Sequence, residues 1–183
     1  MQPQNQEKAK GLLLQSAKEC AYLATFVALT ITVQALLSFL AGIELVTVLF
    51  VSYSFTRGVR RGMLAATAFS LLRNFVFGLY PTVLLLYLVY YNFLALLFGF
   101  IGRKVKKTLK ALPWLTAAAC LCTVMFTMLD NLITPLWYGY SAEATKLYFY
   151  ASLPFMLPQV VCTAISVFCL FLPLHKVFAL LKK

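Results

Sequence analysis

Lys and Arg collect in every second gap between the long apolar runs of this chain. Lys8, Lys10 and Lys18 precede the first run, and Arg57, Arg60 and Arg61 separate the second from the third. Arg103, Lys104, Lys106, Lys107 and Lys110 separate the fourth from the fifth, and Lys176, Lys182 and Lys183 follow the sixth. Arg73 and Lys146 alone fall in the intervening gaps. Basic residues held on the cytoplasmic side set the orientation of membrane proteins. This alternation therefore predicts six transmembrane helices with the N- and C-termini cytoplasmic. Composition agrees: 62% of residues are hydrophobic and 11% charged, against about 25% charged in a soluble domain. At about 20 residues per span, 183 residues hold six spans and no separate soluble domain. The expected fold class is an all-α integral membrane protein, a single six-helix domain over residues 1–183 that crosses the membrane several times.

The predicted helices run over about 15–40, 43–56, 62–79, 82–101, 113–133 and 150–175. The second is short or partly re-entrant. Fused to the first it would make a continuous helix of about 60 Å, twice the hydrocarbon thickness, so the break at Ala41-Gly42 separates two elements. The N-terminal run is long and followed by further spans, which identifies a retained first helix and not a cleaved leader. A net charge of +11 suits nucleic acid in some proteins, but clusters placed between apolar runs belong to membrane orientation. The five cysteines lie in or beside apolar runs and are expected as free thiols.

Catalysis is not expected. His175 is the only histidine, and no H-E-x-x-H, no G-x-S-x-G elbow and no carboxylates at metal-ligand spacing occur. No metal and no cofactor are therefore expected. Ionisable groups inside apolar segments are costly, so each is a functional candidate. Glu44, Arg73 and Asp130 map to the helix ends opposite the basic clusters, where they either pair with one another or contact a ligand. Tyr80, Tyr87 and Tyr91 recur on one stripe of the fourth helix, with Asn92 close by. Asn74, Asn131, Trp137 and Gln159 converge on the same end, a set suited to a flat heterocyclic ligand. The segment from Asp130 to Phe149, rich in aromatics, is expected as an irregular outer loop of about 18 residues, a lid or ligand wall. In the first helix, Ala17, Ala21, Ala24 and Ala28 form a small-residue face that permits close helix packing, either internal or against a partner.

Size, topology, this alanine face, the stretch IELVTVLFVSYSFTRGVRRGMLAATAFSLLRNF and the later YNFLALLFGFIGR together resemble the substrate-binding (S) component of energy-coupling factor (ECF) vitamin transporters. The resemblance covers nearly the whole chain. It implies high-affinity binding of a vitamin or related micronutrient on the outer face. Import would then require a shared module of two ATPase subunits and a transmembrane coupling protein, the latter packed on the alanine face. Consistently, the chain has no G-x-x-x-x-G-K-[ST] phosphate loop. The pocket residues match none of the riboflavin, thiamine, biotin or folate signatures, so the ligand is not named by the resemblance. The alternative is a small membrane scaffold or assembly protein of the cell-shape type (MreD-like).

Overall fold

The structure, a computed structural model, describes residues 3–40, 42–105 and 107–180, with side chains from Ala17 onward. Ala41, Lys106, Lys182 and Lys183 lie outside the described residues, as do the side chains of Lys8 and Lys10. The chain forms six helices and, among the described residues, no strand: α1 (Pro3–Leu37), α2 (Val46–Arg57), α3 (Val59–Phe77), α4 (Pro81–Lys104), α5 (Thr108–Tyr138) and α6 (Ala142–Leu180).

Among the described residues, four helical segments are long and apolar enough to cross a membrane: Ala17–Leu37 of α1, α4, α5 and α6. The expectation of six spans is corrected to six helices of which these four qualify by length and composition. α2 is too short, since 12 residues rise only about 18 Å. α3 carries Arg60, Arg61 and Arg73 within 19 residues.

The short helix is the centre of the bundle. Ten consecutive residues of α2, Val46 to Phe55, are buried, and α6, α4, α3, α1 and α5 all pack on it. A helix enclosed on every side needs side chains that tolerate burial all round, and α2 meets this with large apolar residues interspersed with the small hydroxyls Thr47, Ser52 and Ser54, all buried. Phe50 packs against Phe69 and Tyr91, with ring centroids 5.2 and 4.8 Å away, and Phe26 of α1 stacks on Tyr53 at 4.0 Å.

Two glycines set how the elements meet. Gly42 has φ +80°, and a Cβ there would stand 2.8 Å from Pro158 Cβ of α6. The turn between α1 and α2 thus needs glycine for both its left-handed backbone and its contact. In α4, a Cβ on Gly102 would lie 2.1 Å from the carbonyl oxygen of Phe55, so the end of α4 rests directly on the α2 backbone.

The expected outer loop is also corrected. α5 continues through Pro135 to Tyr138, and Gly139 in the left-handed region (φ +63°, ψ +42°) ends it. The Tyr140 amide then donates to the Pro135 carbonyl at 3.0 Å, a Gly-terminated helix end. α6 begins at Ala142, and the Ser141 hydroxyl accepts from the Ala144 amide at 3.2 Å as its N-cap. Three residues, Gly139 to Ser141, therefore replace about 18, and the aromatic segment is a helical hairpin.

Candidate functional site

The helices alternate in direction, so one end of the bundle gathers the basic clusters. There Arg61 pairs with Glu19, Arg57 lies 5.7 Å from the Tyr22 ring centroid, and Thr56 Oγ1 and His175 Nδ1 share a 2.8 Å hydrogen bond. His175 also stacks parallel to Phe171, the role of a packed and bonded histidine.

At the opposite end, a cavity of about 290 Å³ is lined by Gln34, Glu44, Arg73, Phe77, Tyr87 and Gln159 among others. α1, the α1–α2 turn, α3, α4 and α6 each contribute. Arg73 Nε donates to Gln34 Oε1 at 3.2 Å, and Gln34 Nε2 donates to the Tyr87 hydroxyl at 2.9 Å. The Arg73 guanidinium lies 4.1 Å from the Tyr87 ring centroid and 4.9 Å from that of Phe77. Gln34 and the two rings hold the cation while leaving most of its five N–H groups unused. Glu44 accepts from Thr47 Oγ1 at 2.5 Å.

The mutual ion pairing considered for Glu44, Arg73 and Asp130 does not form. Among the described residues the one ion pair is Arg61–Glu19, at the other end. Each of the three instead has neutral partners, and Asp130 accepts from Thr134 Oγ1 and the Tyr148 hydroxyl, both at 2.8 Å. Asp130 lines a second cavity, of about 350 Å³, with Phe126, Tyr148, Ser152, Phe155 and Gln159. Gln159 faces both cavities, and Tyr87 of the first meets Phe126 of the second edge to face at 5.7 Å.

The remaining sequence-selected residues line neither cavity. Tyr91 is 1% exposed and packed among Phe50, Phe69, Tyr87 and Tyr90. Asn74 Nδ2 donates to the Ser70 carbonyl at 2.7 Å, within α3. Asn92 bonds the Leu88 carbonyl and accepts from Thr67 Oγ1 at 3.2 Å, tying α4 to α3. Asn131 donates to Ser152 Oγ at 2.9 Å, joining α5 to α6. Trp137, expected in a loop, sits near the end of α5, 57% exposed. Gln34 was not singled out, although a polar amide in an apolar run is the same signal that marked Arg73.

Ala17, Ala21, Ala24 and Ala28 are all exposed on α1, directed away from the bundle. Among the described residues no group of three or more His, Cys, Asp or Glu side chains could hold a metal ion. The chain matches no protein-family model, no curated protein and no solved structure.

Proposed function

We propose that this chain is a multi-pass protein of a bacterial cell membrane that captures a small vitamin-like solute at the Arg73 cavity, as an S component of an ECF-type transporter. Its basic end faces the cytoplasm, and so do the start of α1 and the end of α6.

The carrying observation is the cradle around Arg73. A guanidinium braced by Gln34 and Tyr87, with no carboxylate among the described residues within ion-pair distance, keeps donors free for polar ring substituents of a solute. Glu44 and Gln159 supply acceptors on the facing walls. A cavity of about 290 Å³ is near the lower end of the range of small-molecule sites, about 300–1,000 Å³.

Import needs energy that the chain does not supply, and ATP would be hydrolysed by two partner ATPases acting through a coupling protein. The outward alanine face of α1 supports such a partner, since small side chains allow close backbone approach in lipid. Copurification tests the assignment. Mild-detergent extraction should recover ATPase subunits with this chain, and purified protein should release a small molecule on denaturation. A scaffold would give neither.

A further inference from the structure

The cavity between α5 and α6 has a carboxylate on its wall and, among the described residues, no cation within ion-pair distance to balance it. Asp130 receives one hydrogen bond at each oxygen, from Thr134 and Tyr148. A carboxylate offers about four lone-pair positions, so acceptor capacity remains. Among the described residues no Lys, Arg or His lies within ion-pair distance of it. Lys146, the nearest basic residue in sequence, is exposed and makes no such pair. This is unusual in a chain with 16 basic residues and 5 acidic ones, and a charge kept in an apolar helix normally finds a partner.

The rest of the wall states what kind of partner fits. Phe126, Tyr148 and Phe155 present ring surfaces, and Ser152 and Gln159 add a hydroxyl and an amide. Ring faces carry negative quadrupole potential and attract cations. A divalent metal held by protein instead draws on several carboxylate and carbonyl oxygens, and Asp130 is the one carboxylate on this wall. An anion would meet Asp130 directly.

We infer that the cavity between α5 and α6 binds an organic cation, a protonated amine or quaternary ammonium, with its charge against Asp130 and its carbon framework against Phe126, Tyr148 and Phe155. This goes beyond the capture of a solute at Arg73 and holds whether or not the chain serves a transporter.

Three probes of similar size separate charge from shape: benzylamine, benzyl alcohol and benzoate, titrated by calorimetry into the purified full-length chain in detergent at neutral pH. Benzylamine should bind saturably, with the other two at least tenfold weaker. Asp130→Asn keeps one acceptor oxygen and places an amide NH2 at the other position, from which the Thr134 or Tyr148 oxygen can accept instead; it removes the charge and should weaken benzylamine at least tenfold. Arg73→Ala should leave it unchanged. Phe155→Leu, at an exposed position, should cost threefold or more and decides the matter if Asp130→Asn does not fold. Equal binding of the three probes, no saturable benzylamine binding, or wild-type affinity in Asp130→Asn or Phe155→Leu overturns the inference. Loss of benzylamine binding in Arg73→Ala overturns its placement between α5 and α6.

Discussion

The guanidinium of Arg73 lies 4.1 Å from the ring centroid of Tyr87, and Gln34 bonds both side chains, one through each end of its amide. α1, α3 and α4 are thereby joined at one point by polar contacts, at the end of the bundle away from the basic clusters.

That triangle separates two contributions to solute binding. Tyr87→Phe keeps the ring under the cation but removes the hydroxyl that Gln34 Nε2 meets, a loss of about 1 kcal/mol, or about fivefold in affinity. Tyr87→Ala removes the ring as well and should cost more than tenfold. Titration of the copurified solute against both variants measures the difference. Equal losses would show that the ring contributes nothing.

Trp137 gives the contrasting case. It projects from α5 and lines neither cavity, so Trp137→Ala should leave solute affinity within twofold of wild type. A tenfold loss would place the hairpin over the bound solute.

The outward alanine face predicts a split between binding and transport. Leu at Ala21 or Ala24 meets no neighbour within the bundle, since both positions are exposed, and should leave thermal stability and solute binding intact. Cellular uptake should fall severalfold if a partner helix must approach there. Unchanged uptake removes the partner from this face.

Orientation is checked by labelling. With the native cysteines replaced, a cysteine at Ser141 should react with an impermeant maleimide in intact cells, and one at Lys107 only after the membrane is opened. Ser141 caps α6 at one end and Lys107 precedes α5 at the other. Labelling of Lys107→Cys in intact cells reverses the topology.

Much of the architecture was legible because glycine and charge punctuate it. The expected second helix, at about 43–56, lies close to Val46–Arg57, since Gly42 and Gly58 take positive φ at its flanks. Its central position was not legible, because an apolar run looks the same facing lipid or facing other helices. The α5–α6 hairpin was missed for a definite reason. Pro135, Gly139 and a run of tyrosines look like loop punctuation, but α5 absorbs its proline, as helices in apolar surroundings can. Of the site residues, Glu44, Arg73, Tyr87 and Gln159 meet in one cavity and Asp130 lies in the next. Asn74 and Asn92 share their composition signal but spend their amides on helix carbonyls. A polar residue in an apolar run is costly whether its partner is a ligand or its own backbone, so the sequence does not distinguish the two.

The most direct test of solute capture is mass spectrometry of what the purified protein releases on denaturation, run in parallel on wild type and Arg73→Ala. A single low-mass compound should leave the wild type in near one-to-one amount and be largely absent from Arg73→Ala. No compound from the wild type, or the same amount from both proteins, would contradict a binding site built around Arg73.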